Sequence, residues 1–259
     1  MAQLIKLENY VSRYELDIYR YPGKFIQMKN KRWEIVKEGN EEGAEGESSL
    51  NRPLKSLETL KNEFVEDVFF FQLRWASSTL KMKSDLDSRY RFDSWLKFFL
   101  LKFPDNYLLL YRPIFQFRQA PVELDIVIIS PMAVWCITLL EGEDGSVFQG
   151  DSSRFWRKVE GEEVRKVLSP MVSNLRTFRL VSQLLEQYMP EQLPIRRVIL
   201  SPSTFVEFPD APSQVEIIDR REARSWYEKM KKQASPLKFI QLKAAGLLLD
   251  HCQTLASER

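Results

Sequence analysis

Histidine is the scarcest reactive side chain in this sequence. His251 is the whole supply, so a Ser-His-Asp or Cys-His centre would have to use it, and a multi-histidine metal site cannot be built. It falls near the C-terminus on a helical pattern with Leu247, Leu248 and Leu255, and is read as a helix-surface residue. Cysteine is nearly as rare. Cys136 and Cys252 lie far apart, with no Cys-x-x-Cys and no even-numbered framework, which fits a reducing compartment and two thiols acting as small core residues. Long apolar runs are missing: Met132 to Leu140 is about half of the ~20 residues that a membrane helix needs. The first twenty residues carry Lys6, Glu8, Arg13, Glu15 and Asp17, so no signal-peptide stretch is present and a cytoplasmic protein with no membrane partner is expected. There is no glycine-rich phosphate loop or P-loop lysine motif, and no nucleotide cofactor is expected. Charge of one sign is also lacking. With 38 basic and 36 acidic side chains the net charge is +2, so only a local patch could mark a nucleic-acid surface.

What is present suits a packed protein. Of 259 residues 44% are apolar and 29% charged, enough to build a core and too apolar for disorder to be the default. Residues 1–87 are expected to form a mostly helical extension. Its first helix spans 6–20, a Pro22-Gly23 turn follows, and a second element ends near Trp33. Residues 39–52, rich in glycine and glutamate without periodicity, are expected to be a flexible acidic loop. Phe64, Val68, Phe71 and Trp75 recur at steps of four, three and four, which predicts a helix over 56–83 with one apolar face for a core, a protein partner or a second copy.

From Ser88 the pattern sharpens. Phe92, Trp95, Leu96, Phe99, Leu100 and Phe103 predict a helix ended by Pro104. Tyr107–Tyr111 and Val122–Ser130 are predicted strands; in the second, Leu124, Ile126 and Ile128 face one way and Glu123, Asp125 and Val127 the other. Ala133–Leu140 is a predicted central strand and Ser146–Gln149 a short one. Ser169-Pro170 is a strong helix start, a capping hydroxyl followed by proline at the first helical position. That helix carries Met171, Leu175, Phe178, Val181, Leu185 and Tyr188 on one face. Strands at 197–201 and 215–219, a helix at 221–232 and a last helix from Ser235-Pro236 to about Ala256 complete the chain. The expected class is α/β, a mixed central β-sheet flanked by helices, with the residue 233–259 helix packing on the domain.

Several motifs occur in a telling order. Asp93 stands on the first helix of this region and Asp125 on a strand. Ile137-Thr138-Leu139-Leu140 ends the next strand, Gly145, Val147 and Gly150 follow at a turn, then Trp156, then the Ser169-Pro170 helix start. Over roughly residues 88–232 this order resembles the nuclease-related (NERD) domain, a branch of the PD-(D/E)XK restriction-endonuclease-like fold, in which an Ile-Glu-Thr-Lys strand end would stand where Thr138 and Leu140 are. The resemblance implies a restriction-endonuclease-like fold and an ancestral metal-dependent nuclease site. Enzymes of that kind use two carboxylates to hold a divalent metal and a lysine beside the attacking water. Here Thr138 offers a neutral hydroxyl and Leu140 nothing, so the expected outcome is a pseudoenzyme with Asp125, and more weakly Asp93, as relics.

Three functions compete. The first is a catalytically degenerate module that binds DNA or RNA or regulates, with Arg154, Trp156, Arg157 and Lys158, followed by Arg165 and Lys166, as basic and aromatic contacts. Glu160, Glu162 and Glu163 dilute that stretch, and a solvated charged hairpin is the plainer reading. The second is a protein–protein interaction or self-association module using the 56–83 helix. The third is an active Mg2+-dependent phosphodiesterase with relocated ligands, Asp125 with Glu123, Glu141 or Glu143. Mg2+ belongs to that third reading alone, and otherwise no cofactor is expected.

Overall fold

The computed structural model describes residues 1–45, 55–117, 120–189, 193–232 and 235–259 of the chain. The elements in order are β1 (Gln3–Leu7), a 3-10 turn at Arg13–Glu15, α1 (Tyr21–Glu45), α2 (Leu57–Trp75), β2 (Met82–Lys83), a 3-10 turn at Ser88–Arg91 and α3 (Ser94–Lys102). Then come β3 (Leu108–Tyr111), β4 (Ile114–Phe117), β5 (Ala120–Glu123), β6 (Ile126–Ile129), β7 (Val134–Leu139), β8 (Val147–Gln149), β9 (Phe155–Glu160) and β10 (Glu163–Leu168). The chain closes with α4 (Pro170–Tyr188), β11 (Ile195–Ser201), β12 (Phe205–Glu207), β13 (Val215–Asp219), α5 (Ala223–Lys231), α6 (Phe239–Asp250) and β14 (Ser257–Glu258).

Six strands make the central sheet in the order β1-β3-β6-β7-β11-β13. β6 is antiparallel to both neighbours, whereas β1–β3, β7–β11 and β11–β13 are parallel, so the sheet is mixed. Helices cover both faces, and the protein is α/β as the residue pattern requires. Side chains alternate through the sheet as strand geometry demands. Trp135 and Ile137 face a core shared with α3 and α5, whereas Val134 and Cys136 face one shared with α4 and α6. A smaller sheet, β10-β9-β8-β12, stands beyond β7 over a third apolar cluster of Leu140, Phe148, Trp156, Ile199, Val206 and Val215.

Residues 1–87 differ from the expected extension. The helix expected over 6–20 is replaced by β1 and a turn, because Gln3–Leu7 is buried on both faces and pairs with β3 as the edge of the central sheet. Lys6 is fully buried with its ammonium on Glu15 and Thr254. The outer edge of β1 is covered: Gln72 accepts the Leu4 N–H (2.8 Å) and donates to the Ala2 carbonyl (3.0 Å), which blunts an otherwise sticky edge. The helix expected over 56–83 ends at Trp75. Ser77 and Ser78 turn their hydroxyls back onto the Leu73 and Arg74 carbonyls, a local bond that competes with helix continuation.

Two more boundaries moved. The acidic segment expected as a loop begins inside α1, which runs to Glu45, and its remainder, 46–52, lies outside the described residues. The strand expected over 122–130 is two strands broken at Leu124-Asp125. The break lets Leu124 drop into the same core as Val127, and it separates Glu123 from Asp125. The last helix stops at Asp250, after which the chain runs back to bridge Phe115, Tyr10 and β2.

Candidate functional site

Three adjacent strands bring polar side chains to one sheet face. Asp125 immediately precedes β6, Thr138 is on β7 and Arg197 on β11, and the strand register sets Ile126 opposite Ile137 and Cys136 opposite Arg197. α4 lies across this face. Its first turns present Asn174 and Thr177, three residues apart and therefore on one side of the helix, in phase with Val181 and Leu184 below them. The buried side of α4 is thus rotated from the stripe expected in the sequence: Asn174 and Thr177 are buried, whereas Tyr188 is exposed.

The polar groups form one connected chain. The Asp125 carboxylate accepts the Thr138 hydroxyl at 2.6 Å, and the Asp125 main-chain N–H donates to Thr177 Oγ1 at 3.0 Å. Thr138 Oγ1 accepts from Asn174 Nδ2 at 3.1 Å, and the same nitrogen lies 3.1 Å from the carbonyls of Cys136 and Val198. Asn174 Oδ1 accepts Arg197 Nε at 2.9 Å, and the Arg197 guanidinium sits 5.4 Å from the centre of the Phe178 ring. Desolvation draws Arg197 below its ordinary value, and Arg179 pushes the same way by like charge. Burial pushes the enclosed Cys136 thiol up, Asp125 adding to the effect and Arg197 opposing it.

This set does not fit Mg2+. A divalent ion requires several oxygen ligands, carboxylates foremost. Here one carboxylate oxygen is engaged by Thr138, the remaining groups are a hydroxyl and an amide, and a guanidinium occupies the same network. Glu123 is exposed in the β4–β5 ribbon opposite Ile114, and Glu141 and Glu143 are exposed past the end of β7. Among the described residues no three His, Cys, Asp or Glu side chains gather into a metal-holding group. Leu140 is buried against Phe148, Trp156 and Ile199, so a lysine there would place its charge in an apolar cluster. Asp93 is a helix cap: it accepts the Leu96 N–H at 2.8 Å, and both its oxygens lie 2.9 Å from the Tyr111 hydroxyl.

The basic and aromatic group expected at 154–158 is split by the β9–β10 hairpin. Trp156 is 1% exposed, donates its indole N–H to the Asp151 carbonyl at 3.0 Å and packs edge-on to Phe208, so it cannot stack on a base. Its ring also lies where a side chain at Gly150 would stand, 2.8 Å from an added Cβ. Lys158 pairs with Glu160, and Arg165 with Glu163. Arg154 and Arg157 remain exposed, and Arg157 lies directly across from Lys166 on the open face of the hairpin. His251 caps α6, its Nδ1 2.8 Å from the Leu247 carbonyl.

Sequence reasoning missed Asn174, Thr177 and Arg197. Two polar residues in phase with an apolar helical stripe, and an arginine inside the strand run Ile195–Ser201, were the available signals.

No protein-family model matches the chain, and no solved structure matches it. A stretch of 37 residues is 51% identical to RNA 2',3'-cyclic phosphodiesterase from Geobacillus stearothermophilus; it covers 14% of this chain and 12% of that protein. Among the described residues no helix is long and apolar enough to cross a membrane.

Proposed function

We propose that the chain is a catalytically degenerate nuclease-related module that binds nucleic acid without cleaving it. The observation that supports this reading is the hydrogen-bonded chain Asp125–Thr138–Asn174–Arg197 at the sheet position where the resemblance would put a metal and a lysine. A carboxylate held by a neutral hydroxyl, next to a fixed guanidinium, is a structural polar network. It supplies neither a second metal ligand nor a proton acceptor beside water. Loss of both roles removes several factors of ten in rate, at about 1.4 kcal/mol each. The test is to mix the full chain with labelled single- and double-stranded DNA and RNA at low salt, with Mg2+ or Mn2+. Binding without cleavage is expected. Absence of binding at low salt, where phosphate contacts are strongest, would sink the nucleic-acid role.

A second reading, a protein–protein interaction module, has its own support. Phe70 and Phe92 are 40% and 81% exposed, and with Leu73 and Leu86 they line an open recess of about 440 Å³ between α2 and the segment before α3. Exposed aromatics grouped in this way suit a partner or a second copy. Light scattering over a range of concentrations decides it: a constant monomer mass argues against self-association.

A further inference from the structure

Beside the foot of α1 lies an open groove of about 450 Å³ whose lining includes Arg13, Lys24, Lys31, Tyr21, Trp75 and Leu80 and, among the described residues, no carboxylate. We propose that this groove, and not the β9–β10 hairpin, is where the module holds the phosphate backbone of single-stranded nucleic acid; the inference rests on the nucleic-acid-binding reading above.

The cations here share a concavity that no described carboxylate lines, whereas several others are held in ion pairs. Lys6, Lys29, Lys97, Lys158 and Arg165 each pair with a described carboxylate. Arg13 has a main-chain carbonyl, that of Ser78 at 3.3 Å, and lies over Trp75 at 5.1 Å; Lys24 lies over Tyr21 at 5.7 Å. No ion pair joins Arg13, Lys24 or Lys31 to a described residue. Lys24 and Lys31 are seven residues apart on α1, two turns or ~10.5 Å along one face, so both ammonium groups serve the same groove. The cationic surface extends past it: Arg32 and Arg74 both lie over Phe71, at 4.4 and 5.8 Å, and Lys37 over Trp33 at 5.6 Å. From Lys24 to Lys37 the helix carries five cations and one carboxylate, Glu34.

Shape selects among polyanions. A bilayer surface is flat and would meet only the rim, where Leu80 projects at 78% exposure. A single strand enters a concavity, offers phosphates to Lys24, Lys31 and Arg13, and lays apolar base faces against Tyr21 and Leu80. The aromatic floor also suits bases better than it suits an acidic peptide, whose carboxylates would gain from the cations alone.

The experiment is fluorescence anisotropy with fluorescein-labelled oligothymidylate and oligouridylate over a salt series, using the full chain, Lys24→Gln/Lys31→Gln and Arg157→Gln/Lys166→Gln. Both groove lysines are exposed and in no ion pair with a described residue, so circular dichroism and the melting curve should stay unchanged in the groove variant. The inference expects that variant to bind about tenfold more weakly at low salt, with the salt slope reduced by about 1.4, roughly 0.7 per lost phosphate contact. The hairpin variant should bind as the parent does. Loss in the hairpin variant with full binding by the groove variant overturns the inference but keeps the nucleic-acid reading. No binding by the parent chain at low salt overturns both. Phosphatidylserine vesicles and polyglutamate run in parallel; binding of either that the groove lysines control, with oligonucleotide binding unaffected, also overturns it.

Discussion

Under α4, the polar side chains of the central sheet are buried and joined: Asp125 holds Thr138, Asn174 reaches three strand acceptors, and Arg197 is held by Asn174. At the foot of α1, Arg13, Lys24 and Lys31 surround an open groove with no carboxylate in its lining among the described residues. The first region satisfies itself and the second does not. A polar cluster whose bonds close internally adds to stability and specificity of the fold, whereas unneutralised charge around a concavity is a standing attraction for an external anion. In this chain the network of Asp125, Thr138, Asn174 and Arg197 belongs to the first kind.

Substitutions can break or sharpen that contrast. The largest effect is expected at Trp156, which the sequence offered as a nucleic-acid contact. Trp156→Ala should cost about 3–5 kcal/mol of stability by urea denaturation, as for other buried tryptophans, and a folded, stable variant that loses only nucleic-acid affinity would contradict its place in the core. Next, Asn174→Leu strips the Arg197 guanidinium and Thr138 of their shared partner. A loss of about 3 kcal/mol is expected, because the orphaned groups stay buried; a cost under about 1 kcal/mol would mean that the network opens to water. Third, Lys24→Gln/Lys31→Gln should leave stability within about 0.5 kcal/mol, as exposed, unpaired sites do, while weakening oligonucleotide binding.

The smallest effect concerns the thiols. Burial pushes Cys252 up to about 12 from an ordinary value of 9.0, with Glu15 and Asp250 reinforcing the shift and Lys6 opposing it. The folded state therefore holds its proton more tightly than the unfolded state. The stability this contributes is complete below about pH 9 and is lost as pH rises through the window from 9 toward 12. Cys136 is shifted in the same sense. Neither thiol should react with a disulfide reagent at pH 8 until denaturant is added, and rapid labelling of Cys136 in the native protein would show that α4 lifts off the network.

Most of the architecture was legible because strand and helix periods differ. The Val134–Leu139 strand, the Ser169-Pro170 helix start and the strand at 215–219 all stand where the pattern put them. β1 was lost because Lys6 interrupts its apolar run, and only tertiary structure supplies the Glu15 and Thr254 that permit a buried lysine. The α2 terminus was missed because Ser77 and Ser78 act through local hydroxyl bonds that apolar spacing does not encode. At the site, Asp125 and Thr138 were found and do touch. Their α4 partners were not, since Asn174 and Thr177 are polar residues set among the apolar positions of an amphipathic helix, where apolar spacing alone gives them no role. Trp156 and Lys158 were read together because they are near in sequence; Trp156 packs into the third apolar cluster, whereas Lys158 is tied to Glu160.

The most direct test of the central claim is a cleavage assay on single- and double-stranded oligonucleotides with Mg2+ and with Mn2+, comparing the parent chain with Asp125→Asn. Asparagine keeps an oxygen to accept the Thr138 hydroxyl but cannot serve as an anionic metal ligand. The expected result is no cleavage above background by either protein and nearly equal stability of the two. Cleavage by the parent chain that disappears in Asp125→Asn would contradict the account and restore Asp125 as a catalytic carboxylate.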